Sequence, residues 1–359
     1  MGLIKNIKQI IKTAKINQRI NRAKIVHIMF NDKFNKPFVD FLNKNFSQKE
    51  HLVLCKRIFD QFPFPDGENV IEIKTLKNLN FDKVEKIICH SLFDNELVDY
   101  MFNHQNMLKQ KVYWVMWGGD LYGAPKDEKN DFVRKNVYAY CAVAKGDEKI
   151  AQNKYSNIPK TFVTPYLSPI SADMLINAKK NEHDSINIQL NNSCDGQILE
   201  MLDILSKYKN ENINIRTILS YGDLNYKEEI ITKGKEIFGN KFSYIDKLME
   251  PKDFCDYMAQ NNILVFNQKR QQGIGNISMG LALGAKVYIS SEVTTFGYIN
   301  DNGFKVFDTN EIKNMSYNEF IEYSEEEKIN NINRGIKFYQ KLPVKEWKDL
   351  FEYEESQNG

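Results

Sequence analysis

Apolar residues recur along this chain in two rhythms. Near the start, Leu3, Ile4, Ile7, Ile10, Ile11 and Ala14 fall on one stripe with lysines over the rest, the spacing of an amphipathic helix. From Lys24 the rhythm becomes short apolar runs separated by polar loops and helical stretches, the alternation of buried parallel strands with covering helices. Strands are expected at Lys24–Phe30, His51–Lys56, Asn69–Ile73, Lys86–Phe93, from Lys111, and at Tyr138–Ala144. Helices are expected at Pro37–Phe46, where proline suits a first turn, and from Glu96 to about Asn103. The pattern restarts after Tyr155–Pro169, which carries Pro159, Pro165 and Pro169 and reads as an interdomain linker. Strands then fall at Ser185–Leu190, Asn214–Gly222, Phe242–Ile245, Ile263–Phe266, Lys286–Ser290 and Phe304–Phe307, with helices at Asp195–Tyr208, Tyr226–Phe238, Glu250–Gln260 and from Tyr317.

The expected fold class is α/β, with two Rossmann-like doubly wound domains facing across a cleft. A chain of 359 residues also exceeds the roughly 250 to 300 at which one core stops growing. The expected division is a basic helix over 1–22, a first domain over 23–165, a second over 166–325, and C-terminal helices over 326–359 packing back on the first domain.

Composition changes little: 42% hydrophobic and 27% charged residues exclude collagenous and largely disordered classes. Charge changes more. Net +2 hides a first segment, up to Lys24, in which every charged side chain is basic, against a Glu-rich tail. A local basic patch of this kind predicts contact with an anionic membrane surface through residues 1–24, or a helix docked on the protein's own body; nucleic acid is not an expected partner. Five scattered cysteines without a C-x-x-C pair read as buried thiols in a reducing compartment. No apolar run approaches the roughly 18 residues of a membrane span, so a cytoplasmic protein, peripheral on the membrane's inner face, is expected.

Candidate chemistry sits past the strand ends. After Ile263–Phe266 the loop brings Arg270, Gln271 and Gln272 against Gly273 and Gly275, ahead of a helix that Asn276 or Ser278 can cap. Glycines let backbone N–H groups approach a ligand, and a helix N-terminus favours an anion, so the loop is a phosphate cradle or only a tight turn. The spacing is not G-x-G-x-x-G, which argues against a dinucleotide site. Asn192, Ser193, Tyr221 and Gly222 end the second domain's first two strands and are candidate nucleotide contacts. In the first domain Asp32 is a candidate general base or a turn residue capping the next helix; His90 is the second candidate base or a structural histidine. Asp120 is expected to bind acceptor or orient His90, and Trp117 and Tyr122 to stack on sugar or fill core. Two doubly wound domains with one phosphate-competent loop are the arrangement of a GT-B glycosyltransferase. No D-x-D triplet occurs, so neither a metal nor another cofactor is expected, and Arg270 with the helix N-terminus would neutralise a leaving diphosphate.

WVMWGGDLY (Trp114–Tyr122) and RQQGIGN (Arg270–Asn276) resemble the W-G-x-D-L-Y and R-Q-Q-G-I-G segments of the 4-acetamido-4,6-dideoxygalactose (Fuc4NAc) transferases, a family also described as 4-alpha-L-fucosyltransferases. HIMFNDKF matches that family at His27 and Asp32, HSLF at His90 and Phe93, and NNSCD lies where it has N-x-S-x-D. The resemblance runs in order from Lys24 to Ser290; the basic extension before Lys24, two residues inserted before Arg270 and the final helices depart from it. It implies an inverting transferase that takes Fuc4NAc from dTDP to an undecaprenyl-diphosphate-linked glycan in surface polysaccharide synthesis. The rival expectations are a UDP- or GDP-sugar donor, and a non-catalytic sugar-nucleotide or glycan-binding protein.

Overall fold

The computed structural model describes residues 2–181, 184–191 and 193–354, with the backbone alone for residues 2–6 and 196. Two compact units form, one from the residues up to Pro169 together with those from Leu342, the other from Ile170–Lys341.

In the first unit β1 (Ile25–Phe30), β2 (His51–Lys56), β3 (Val70–Ile73), β4 (Lys86–His90), β5 (Val112–Met116), β6 (Ala139–Ala142) and β7 (Thr161–Val163) make one parallel sheet in the order β3-β2-β1-β4-β5-β6-β7. Runs such as VYWVM are buried throughout because helices cover both faces. The segment expected as a linker carries β7, paired to β6 at the sheet edge. An edge strand needs N–H groups on one side only, which is why flanking prolines coexist with it. The helix Val344–Phe351 buries Trp347, Leu350 and Phe351 in this unit; Trp347 Nε1 donates to Pro165 O at 2.9 Å and Lys86 Nζ to Phe351 O at 2.8 Å. The first helix, Gly2–Ile20, buries Ile16 and Ile20, and Asn17 is tied to Asn78 and Asn80. Its Ile7, Ile10 and Ile11 are exposed.

In the second unit β8 (Ile186–Leu190), β9 (Ile213–Ile218), β10 (Phe242–Ile245), β11 (Ile263–Phe266), β12 (Lys286–Ile289) and β13 (Phe307–Asp308) are parallel in the order β10-β9-β8-β11-β12-β13. Helix Glu325–Gln340 packs in this unit, where Gly335 meets Ala282 so closely that an added Cβ would lie 2.6 Å from its backbone. Of the final helices, therefore, only Val344–Phe351 groups with the first sheet.

Each sheet reverses direction of winding at one place, between β1 and β4 and between β8 and β11. Crevices at such switch points are where open α/β sheets bind ligands. All five cysteines are buried free thiols.

Candidate functional site

At the first switch point β1 runs into Asn31 and Asp32. Asp32 Oδ1 accepts the N–H groups of Phe34 at 2.7 Å and Asn35 at 3.0 Å, closing the turn into the helix Asn35–Asn45. Its other oxygen carries no hydrogen bond among the described residues. Burial pushes the carboxyl up to about 6, against the pull of those two N–H groups and of Lys33. The turn and the base readings therefore coexist: one oxygen shapes the loop, and the other belongs to a group that changes charge near neutrality.

His90 ends β4 on the other side of the switch point, but not as a free base. It is 2% exposed, and both ring nitrogens are engaged. Nε2 meets His27 Nδ1 at 2.8 Å, Nδ1 meets the Tyr166 hydroxyl, and His27 Nε2 meets His51 Nδ1 at 3.0 Å. Burial holds His90 down at about 3 and His27 well below its usual range; burial and the Lys24 charge hold His51 at about 4. Burial thus disfavours the charged form of each imidazole, and His90, the second candidate base, stands in this chain with both ring nitrogens engaged. The backbone beside it is strained, with Ser91 at φ 97°.

Asp120 is engaged as well. It is fully buried, Oδ2 accepting from Leu92 N at 2.6 Å and Trp114 Nε1 at 2.7 Å, and Oδ1 from Trp117 N at 2.7 Å. Burial raises its carboxyl, opposed by these donors and the Arg134 charge. Its bonds run to the loops after β4 and β5, which it positions, and none of them goes to His90. The expected loop there is a short helix, Gly118–Tyr122, with Asp120 in its capping box. Trp117 is half-buried between Phe34 at 5.1 Å and Tyr166 at 4.5 Å. Tyr122 packs on the core and donates to Asp147 at 2.8 Å, the core-filling alternative of the two expected for it.

The second switch point gathers loops by polar contacts. Asn191, at φ 33°, donates to Asp195 at 3.0 Å and accepts from Asn267 N at 3.2 Å. Gln272 Nε2 donates to Ser193 Oγ at 2.8 Å, and Ser193 Oγ donates to Asp195 at 3.2 Å. The loop after β9 joins through a Cys194–Gly222 bridge. Gly222 sits at φ 106°, where an added Cβ would lie 2.5 Å from Cys194 O, so only glycine fits. The structure thus brings Ser193, Gly222 and Gln272 together. Tyr221 feels the charges of Asp195 and Arg270 on top of the burial that raises it to about 12. Asn192 lies outside the described residues.

The helix after the loop is Ile274–Ala282, and its N-cap is Gly273 in the left-handed region at φ 74°, with no side-chain cap. The capping expected from Asn276 or Ser278 is corrected: Asn276 lies in the first turn, and Ser278 is buried with its hydroxyl unpartnered. Among the described residues no side chain satisfies the first-turn N–H groups, which leaves them able to receive an anion. Gly275 is exposed, with nothing within 4 Å of an added Cβ, and Arg270 and Gln271 precede it. Gln268, 4% exposed, leaves its side-chain nitrogen without a partner among the described residues, an orphan donor of the kind a bound acceptor satisfies.

Sequence reasoning missed His27 as the partner of His90 and His51 as the partner of His27, because these contacts depend on strand register. It missed Tyr166, which follows β7 in a proline-bearing stretch that reads as a linker, and the Asn191–Asp195–Asn267 network. The N-x-S-x-D spacing was the signal for the last.

Among described residues no three His, Cys, Asp or Glu side chains gather to ligate a metal, and no helix is long and apolar enough to cross a membrane. Several solved structures share the fold. The N-terminal domain of a trehalose-6-phosphate phosphatase from Candida albicans matches with TM-score 0.64 and 8% identity, covering 91% of this chain and 95% of that one. A glycosyltransferase from Rickettsia africae matches with TM-score 0.60 and 11% identity, over 93% and 100%. Sucrose-phosphate synthase from Thermosynechococcus elongatus matches with TM-score 0.62 and 9% identity, over 91% and 96%. At these identities the likeness shows the fold alone, that of a GT-B glycosyltransferase. No curated protein matches in sequence. Residues 21–355 match the family model described as 4-alpha-L-fucosyltransferase, glycosyl transferase group 56.

Proposed function

We propose a reaction from one premise: the chain belongs to the 4-alpha-L-fucosyltransferase family of glycosyl transferases, group 56. It is an inverting glycosyltransferase that moves a deoxyamino sugar, Fuc4NAc carried on dTDP, onto an undecaprenyl-diphosphate-linked glycan in surface polysaccharide synthesis. Asp32 takes the proton of the acceptor hydroxyl as that oxygen bonds to the anomeric carbon, and the bond from that carbon to the donor diphosphate breaks. Arg270 and the first-turn N–H groups of the helix Ile274–Ala282 receive the departing dTDP, with Gln271, Gln272 and Ser193 beside them. A metal is not required for this, since fixed cationic and N–H groups supply the neutralisation. Trp117 stacks on acceptor sugar.

The observation that carries the reading is the uncapped helix N-terminus behind Gly273, with Arg270 ahead of it and an orphan amide at Gln268. The enzyme works at the inner face of the cytoplasmic membrane, which the basic first helix reaches through its exposed Ile7, Ile10 and Ile11.

Melting of the full chain with dTDP, UDP and GDP tests the donor, because a ligand bound by the native state alone raises its stability. The expected result is a shift of several degrees with dTDP only, and transfer of labelled Fuc4NAc that persists in EDTA. A larger shift with UDP or GDP assigns another donor, and loss of turnover in EDTA restored by Mg²⁺ overturns the metal-free route.

A further inference from the structure

The stretch after β2, RIFDQFPFPD (Arg57–Asp66), is unusually apolar for a loop at a strand's carboxyl end, and Ile58 is 52% exposed. The loop is nonetheless held in one shape. Asn31, fully buried, accepts from Ile58 N at 2.7 Å and Phe59 N at 3.1 Å, and donates to the carbonyls of Phe59 and Phe62. Phe59 meets Phe30 and Phe62 edge-on, with centroids 6.0 and 5.8 Å apart. The residue that organises the aromatic loop is thus the immediate neighbour of Asp32, so loop and carboxylate are in fixed register.

The sheet order β2-β1-β4-β5 places four strand ends side by side. They carry, in turn, Ile58 with Phe59 and Phe62, Asp32 with Phe34, Phe93, and Trp117. Phe93 is 67% exposed. Cations accompany the apolar row: Lys33 lies 5.0 Å from the Phe34 ring, and Arg57 lies 4.4 Å from that of Phe64 and 3.5 Å from the Glu72 carboxylate in an exposed ion pair. The first helix points to the same edge. Arg19 bonds the carbonyl of Glu68 before β3, while Gln9 and Lys12 lie beside Thr75 beyond its end, so Ile7, Ile10 and Ile11 run out toward the carboxyl edge of this sheet.

We propose that the loop Arg57–Phe64, with Phe93, binds the apolar chain of the acceptor: a long isoprenoid joined through a phosphate-containing link to the sugar that Asp32 deprotonates. This deepens the lipid-linked acceptor reading above and rests on it. An exposed aliphatic and aromatic row gains free energy by covering such a chain, and Lys33, with Arg57 able to exchange its exposed partner Glu72, suits its anionic link. Fixing that row on Asn31 sets the distance from chain to base, which orders the acceptor hydroxyl at the carboxylate.

The experiment compares full-length wild type with Ile58→Ser, Phe93→Ser and the pair, using two acceptors with the same glycan diphosphate, one on a long polyprenyl chain and one on a short water-soluble chain. Ile58 and Phe93 are exposed, so the variants retain the wild-type melt. The expected result is a fall of about tenfold in the long-chain over short-chain ratio of kcat/KM for the pair, and Ile58→Leu restores it. A ratio within twofold of wild type overturns the loop assignment and leaves the transferase reading standing. Wild type that transfers to neither acceptor overturns both. Flotation with acceptor-free anionic vesicles separates the other source of apolar chains: if the pair loses vesicle binding as strongly as it loses long-chain turnover, the loop serves the bilayer and the proposal falls.

Discussion

Both sheets are parallel, doubly wound and reversed at one switch point, yet their carboxyl edges differ in chemistry. On the first, the strand ends present a carboxylate, exposed and half-buried aromatics, and buried imidazoles beneath them. On the second they present amides, hydroxyls, an arginine and two glycines at positive φ, Gly222 and Gly273. All three tryptophans lie in the first unit. The buried runs of both sheets are mostly apolar β-formers, although β1, β2 and β4 also carry the three imidazoles. What separates them is the few residues past each strand, and there environment does the tuning. A half-buried carboxyl is lifted toward neutrality, whereas an uncapped helix start stays able to bind an anion.

The sharpest break of that comparison is a pair of substitutions. Asp32→Asn keeps an oxygen for Phe34 N and Asn35 N, so melting changes little while transfer falls about 10²- to 10⁴-fold; an active Asp32→Asn enzyme would reduce Asp32 to its turn. Arg270→Gln is expected to lower kcat/KM about 10²- to 10³-fold and to abolish the dTDP-induced melting shift, leaving the acceptor's KM in place. If both substitutions raise only the KM of the acceptor, the assignment of the two edges is reversed.

A pH profile comes next. Asp32 acts only when ionised, and its carboxyl sits at about 6, so kcat/KM should fall about tenfold per unit as pH drops below that point. A profile flat down to pH 4.5 assigns the proton to another group.

The imidazoles give a smaller effect on stability. His27, His51 and His90 are all depressed by burial, so their contribution is present above the ordinary histidine value and is lost as pH falls through it toward the depressed ones. Each removes up to ~1.4 kcal/mol per pH unit in that window. Hydrogen exchange between pH 6.5 and 4 should show first-unit amides losing protection before second-unit amides, and equal loss in both would sink the distinction.

The smallest effect is expected at the first helix. Ile10→Ser with Ile11→Ser should weaken flotation with anionic vesicles roughly tenfold, with no change in melting, since both side chains are exposed. Unchanged flotation removes the membrane role.

Much of this was legible in the chain. Apolar runs of four to six residues marked eleven of the thirteen strands by position, and the glycine loop before Ile274 announced a backbone that a ligand can approach. The β7 edge strand was hidden by its prolines, and β13, two residues long, was placed too early, at Phe304–Phe307. Asp32 and Arg270 could be singled out because local order puts them just past strand ends. His90 and Asp120 were singled out on the same grounds, but their polar atoms are engaged by neighbours that the chain order does not show. Whether a side chain past a strand end is open or committed depends on register between strands far apart in sequence: His51 reaches His27 because β2 lies beside β1, and Trp114 reaches Asp120 because the chain turns back at Gly118. The sequence by itself determined periodicity, charge and which residue types stand at the carboxyl edges. Only the tertiary structure decided which of those groups burial would neutralise, which a hydrogen bond would occupy, and which were left with an atom to spare, because those are properties of surroundings assembled from distant parts of the chain.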